Sequence, residues 1–152
     1  MKRLELCAFF VLIVFVCASS AQSKPAEIKA SMLELCYKLW KQTSFGWEEK
    51  QTERAAWIIR DSNGTVQWLQ WEYTEEHRAA TWRRPVPKGV IAQIHTHPGF
   101  SDPWPSKQDI RVAREIKAPV YTISGLGIWR VGSDGKVTKE ADGSWYKKIK
   151  RN

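Results

Sequence analysis

Between residues 28 and 40 the apolar positions Ile28, Met32, Leu35, Cys36, Leu39 and Trp40 recur at spacings of three and four. That is one face of a helix. The pattern breaks around Ser44, Phe45 and Gly46, and two β-prone runs follow at residues 54–60 and 65–73, separated by Asp61, Ser62, Asn63 and Gly64. An Asn-Gly pair between such runs predicts a hairpin, because both residues tolerate positive φ. Residues 85–89 are a Pro/Gly loop, and Val90, Ile91, Ala92, Gln93 and Ile94 form a short apolar run suited to a buried strand that leads straight into His95. A Pro/Gly/Ser-rich loop spans residues 98–105. A helix follows over residues 107–117, with Ile110, Val112, Ala113 and Ile116 apolar and Pro119 as its stop. Residues 120–124 and 128–131 predict another strand pair around Gly125 and Gly127, and Ser133, Asp134 and Gly135 turn the chain into a last strand at residues 136–138. This order predicts one small α/β or α+β domain, a central mixed sheet flanked by two main helices.

The first 21 residues are a different material. Lys2 and Arg3 precede an apolar run over residues 6–17, and the small residues Ala18, Ser19, Ser20 and Ala21 come next. This is the pattern of a secretory signal peptide cut after Ala21. The apolar run holds about 12 residues where a membrane span needs about 20, so an uncleaved anchor is the weaker reading. A lipoprotein signal through Cys17 is weaker still, because bulky Val16 stands where a small residue belongs. The domain is then residues 22–152, secreted or periplasmic, with no stable membrane insertion after cleavage.

Cleavage removes two of the three cysteines, Cys7 and Cys17, so Cys36 remains without an intrachain partner. It lies in the helical apolar pattern and reads as a small buried hydrophobe. Removing Lys2, Arg3 and Glu5 from 24 basic and 16 acidic residues leaves 22 and 15, a formal charge of +7. The charges are scattered except for the tail Lys147, Lys148, Lys150 and Arg151. With secretion, that distribution argues against nucleic acid as a partner. Nine tryptophans imply a core or groove lined by large rings whose indole N–H groups need partners.

The candidate chemistry lies between His95 and Asp109. His95 and His97 are two apart at the end of an apolar strand, so period two puts both on one face. Two imidazoles on one face can meet one metal ion, and Asp109, one turn into the next helix, can bring a carboxylate to a third position. A His-His-Asp set leaves a fourth tetrahedral position for water, as in catalytic rather than structural zinc sites. Ser106 with Asp109 three residues later is also ordinary helix-start chemistry, and the two roles are compatible.

His95-Thr96-His97-Pro98 with Ser106 and Asp109 resembles the JAB or MPN+ domains that carry the JAMM metallopeptidase motif, and the loop at residues 98–106 looks most like their bacterial RadC-type branch. The likeness covers roughly residues 52–131. It implies a JAB/MPN-like fold with cytidine-deaminase-like layering. It implies one Zn2+ held by His95, His97 and Asp109, with Ser106 supporting the oxyanion. In the family a Glu on an earlier strand is the general acid/base acting through the metal-held water, and Glu53 matches that place, ahead of Glu48 and Glu49; Glu72, Glu75 and Glu76 read as solvated. The loop departs from the pattern, since residues 98–105 number eight where the family usually has seven.

Together these features predict a secreted zinc-dependent peptidase or isopeptidase acting on a peptide, protein or cell-wall peptide. A non-catalytic binding module on the same fold is the alternative. Phe100 and Trp104 beside the motif are candidates for a substrate groove or for covering the core edge, and His77 has no partner pattern.

Overall fold

The computed structural model describes residues 30–43, 52–73, 80–98 and 102–149. The signal-peptide expectation for residues 1–21 lies outside them, as do Glu48, Glu49, Glu75, Glu76, His77 and Phe100. The described elements run α1 (Ala30–Lys41), β1 (Ala55–Arg60), β2 (Val66–Gln70), β3 (Val90–Thr96), α2 (Lys107–Ile116), β4 (Val120–Ser124), β5 (Gly127–Val131), β6 (Val137–Asp142) and α3 (Trp145–Ile149). The strands form one six-stranded sheet in the order β2-β1-β3-β4-β5-β6. Only β3 and β4 are parallel, with α2 in the connection between them; every other neighbour is antiparallel. This is the mixed sheet with flanking helices that the sequence predicts. Among the described residues no helix is long and apolar enough to cross a membrane.

Strand alternation divides the sheet into two faces. Ala56, Ile58, Ala92, Ile94, Tyr121, Ile123 and Ile128 point to one face, where they form the main core with Cys36 and Leu39 of α1 and Trp145 of α3. On the other face Val120 and Val131 pack with Ala113 of α2, and Ile110, Val112 and Ile116 close around them. β3 lies between β1 and β4 and is covered on both sides, which accounts for an apolar run that only Gln93 interrupts before His95. The same alternation sends Gln93 and His95 to the α2 face while Ala92 and Ile94 fill the α1 core.

Three local details differ from expectation. The hairpin between β1 and β2 forms, but only Gly64 takes positive φ (81°); Asn63 does not. Asp61 N–H bonds Thr65 O at 3.0 Å and Gly64 N–H bonds Asp61 O at 3.0 Å, the three-residue turn with a bulge that puts its glycine in the left-handed region. The Asp61 carboxylate stabilises it by accepting the N–H groups of Asn63 and Thr65. β6 runs on to Asp142 because it pairs with β5 along its whole length, with a register shift at Ile128 and Trp129. The short helix α3 is present because Trp145, 1% exposed, anchors it. The Trp145 indole N–H donates to Ser124 O at 2.9 Å, and its ring meets Trp40 and Tyr37 edge-on.

Candidate metal centre

β3 and the start of α2 build the site. In β3, period two puts Gln93 and His95 on the α2 face, and His97, one residue beyond the strand, continues that row. Helix α2 opens with Ser106 as N-cap: the Ser106 hydroxyl accepts Asp109 N–H at 3.2 Å, and Asp109 Oδ2 accepts Ser106 N–H at 2.6 Å. This reciprocal box satisfies two N–H groups at the helix start and fixes the Asp109 rotamer. The Ser106 hydroxyl gives its proton to the same Oδ2 at 2.8 Å. With Oδ2 so occupied, Oδ1 is the oxygen that faces the sheet.

The three candidate ligands meet. His95 Nε2 lies 3.1 Å from His97 Nε2 and 3.3 Å from Asp109 Oδ1. One donor atom from each residue lies within 4.8 Å of the other two, and His95 and Asp109 are buried. The outer ring nitrogens are also engaged. His97 Nδ1 lies 2.9 Å from the Asp102 carbonyl oxygen, which can only accept, so the His97 proton sits on Nδ1 and Nε2 carries a lone pair. His95 Nδ1 lies 3.2 Å from Gln93 Oε1. The inner nitrogens and Asp109 Oδ1 thus face one another as three atoms that could hold one ion. Such a cluster is stabilised by a cation at its centre, and it fits a metal ion.

The electrostatics of the metal-free cluster show where a positive charge is favoured and where it is not. Burial disfavours a charge on His95, but the Asp109 carboxylate outweighs it and, with a smaller contribution from Glu53, raises the His95 pKa. Burial and the neighbouring His95 both lower the pKa of His97, which favours its neutral, ligating form. Burial would raise Asp109, yet His95 and the hydrogen bonds from His95 and Ser106 prevail and hold its carboxyl well below the usual carboxylate range.

Glu53 is two residues ahead of β1. The register Ala55↔His95 and the mutual bonds of Arg54 and Thr96 continue the ladder toward it. One further step of that ladder would bring Glu53 opposite His97, on the face of Ala55 and His95. Its carboxylate is near enough for its charge to act on His95. Thr96, between the two histidines but on the opposite face, fixes this place. Its hydroxyl oxygen accepts Arg54 N–H at 2.9 Å and the Thr43 hydroxyl at 3.0 Å, joining β3 to the end of α1 and to the residue after Glu53.

This spatial set agrees with one comparison. A family model described as prokaryotic homologs of the JAB domain matches residues 40–138. The chain belongs to that family. Comparison with curated proteins and with solved structures gives no match. The JAB match spans α1's last residues through the start of β6 and so contains the whole His95, His97 and Asp109 cluster.

Two groups beside the JAB cluster were not singled out by sequence. Gln93 reads as one polar interruption of an apolar strand; its i, i+2 relation to His95 was the available signal. The second is Trp129, 3% exposed, in the register row His95, Thr122, Trp129. Trp104, 60% exposed, rests its ring 5.5 Å from that of Trp129. Trp104 stands between Asp102, bonded to His97, and Ser106, bonded to Asp109, so it belongs to the rim of the cluster. On the other flank Trp57, Trp71 and Trp82 pack with ring centroids 5.0–5.9 Å apart and cover the β1 end of this face. Glu72 pairs with Arg84, consistent with a solvated role.

Proposed function

We propose that this JAB-domain chain is a zinc-dependent peptidase or isopeptidase of the JAMM type, near the RadC-type branch, that is secreted or periplasmic and hydrolyses an amide bond in a peptide, protein or cell-wall peptide. The observation that carries the reading is the convergence of His95 Nε2, His97 Nε2 and Asp109 Oδ1. Donors about 2.0–2.1 Å from a tetrahedral zinc ion stand about 3.3–3.4 Å from one another, and two of the spacings here are 3.1 and 3.3 Å. The set of two imidazoles and one carboxylate suits zinc and leaves a fourth position. Export is supported by the leader-like residues 1–21 alone. Cell-wall peptides fit a small, basic, exported domain.

A bound zinc ion supplies a Lewis acid and makes water acidic near neutral pH. The protein's own groups do the rest. His95, His97 and Asp109 hold the ion, and Ser106 holds Asp109. The Glu53 carboxylate takes the proton of the attacking water and returns it to the nitrogen of the leaving amine. Turning the Ser106 hydroxyl away from Asp109 Oδ2 frees its proton for the substrate carbonyl oxygen. Trp104 presents an exposed aromatic ring at the rim, backed by the buried ring of Trp129.

The test is turnover of a peptide and cell-wall peptide panel by zinc-loaded protein beside Glu53→Gln. Hydrolysis that falls at least about 100-fold in the variant, with zinc content unchanged, supports the assignment. The second reading, a zinc-holding binding module without turnover, is favoured by the commitment of the Ser106 proton to Asp109. Stoichiometric zinc with no hydrolysis across the panel selects it.

A further inference from the structure

Gln93 is 4% exposed on the α2 face of β3. Its register neighbours are Trp57 on β1 and Val120 on β4, both buried, so the amide sits between apolar side chains. An amide left unpaired in such a place is destabilising, and an apolar residue would continue the pattern of Val90, Ile91 and Ala92 without that cost. What the amide meets there is His95: Oε1 lies 3.2 Å from Nδ1. The backbone around it is fixed from both sides, by the Gln93 N–H bond to Pro119 O at 2.9 Å and by pairing with β1.

We propose that Gln93 is a positioning residue of the metal centre: its side-chain oxygen keeps the His95 proton on Nδ1, so that the Nε2 lone pair points at the space shared with His97 and Asp109. This deepens the metal-centre reading above and rests on it. Where His97 Nδ1 meets the Asp102 carbonyl, His95 Nδ1 meets the side-chain oxygen of Gln93, supplied from two residues away on the same strand. The two histidines therefore reach the same tautomer by different means, one through a loop carbonyl and one through a buried amide. A metal-ligating histidine whose outer nitrogen donates to a fixed acceptor holds its ring orientation and is more basic at the inner nitrogen. With an apolar residue at position 93, the His95 proton is free to move to Nε2, where it would occupy the lone pair that the cluster needs.

The experiment combines zinc affinity with a direct view of the proton. The zinc dissociation constant is measured by chelator competition for wild type, Gln93→Met and Gln93→Glu, and His95 is observed by imidazole 15N NMR in the zinc-loaded wild type. The expected results are a slowly exchanging Nδ1–H for His95, affinity about 10–100-fold weaker in Gln93→Met, and recovery in Gln93→Glu, which keeps the acceptor. An unchanged affinity in Gln93→Met, or a Glu variant as weak as the Met variant, overturns the assignment while leaving the metal centre standing. A His95 Nδ1–H that exchanges with solvent as fast as an exposed imidazole N–H overturns it without any variant, so the test holds even if Gln93→Met fails to fold. A wild type that binds no zinc removes both the metal centre and the role of Gln93.

Discussion

Replacing Ser106 with alanine separates what its hydroxyl does for the fold from what it would do for a substrate. In the structure that hydroxyl accepts Asp109 N–H at 3.2 Å and donates to Asp109 Oδ2 at 2.8 Å; the Ser106 N–H bond to Oδ2 at 2.6 Å survives the substitution. Losing an N-cap side chain costs about 0.5–2 kcal/mol. The bond to a charged carboxylate would add to this, but Ser106 is solvent-exposed and water replaces part of it. A total of about 1–2 kcal/mol follows from these terms. At about 4 °C per kcal/mol for a domain of this size, the melting temperature falls by about 4–8 °C. The assay is thermal unfolding of metal-free protein followed by circular dichroism, with Ser106→Thr as the control that keeps the hydroxyl. Asp109 is also less firmly oriented in the alanine variant, so its zinc affinity weakens in parallel. An alanine variant that melts within about 1 °C of wild type refutes the capping role, and a loss confined to turnover would place the hydroxyl at the substrate instead.

Three other outcomes follow from the same geometry. In metal-free protein the lowered pKa of Asp109 contributes stability that is present above the unfolded value of about 3.9 and lost as pH falls through the folded value; the raised pKa of His95 contributes stability that is present below about 6.5 and lost as pH rises through its folded value. His97, its pKa lowered, opposes the His95 contribution, so the test uses His97→Ala: its urea midpoints across pH 2–9, about the range of both groups, should peak between them, and a flat profile contradicts the ion pair. Burial pushes the Cys36 thiol up to about 12, with a small opposing backbone hydrogen bond, so Cys36 should resist a thiol reagent near neutrality in native protein and react once unfolded; rapid native labelling of Cys36 rules out its burial. Thr96→Val removes the acceptor shared by Thr43 and Arg54 and should cost about 1–3 kcal/mol in urea unfolding. It should also weaken turnover through the displaced Glu53, and unchanged stability would show that the link is idle.

Much of the arrangement is legible in the sequence because the determining signals are local. The apolar run ending at His95, the two-residue spacing to His97 and the Ser106 and Asp109 box each specify their own geometry, and together they set three candidate ligands around one point. The turn at Gly64 was less legible: Asn-Gly signals a hairpin, but the Asp61 carboxylate selects the three-residue form by bonding two loop N–H groups. The length of β6 is set by pairing with β5, which overrides the weak strand preference of Lys139, Glu140, Ala141 and Asp142. Helix α3 has only five residues, too few to show a period; its anchor, the Trp145 bond to Ser124, connects residues 21 apart. The role of Gln93 depends on which way a side chain faces in a strand buried on both sides, where the apolar pattern has no period to read.

The most direct measurement is the zinc content of purified protein, wild type beside His97→Ala and Asp109→Ala, by elemental analysis after dialysis. The account predicts about one zinc per wild-type chain and its loss from both variants. A wild type that holds no more zinc than the variants, even after zinc is supplied, contradicts the metal centre and with it the hydrolase.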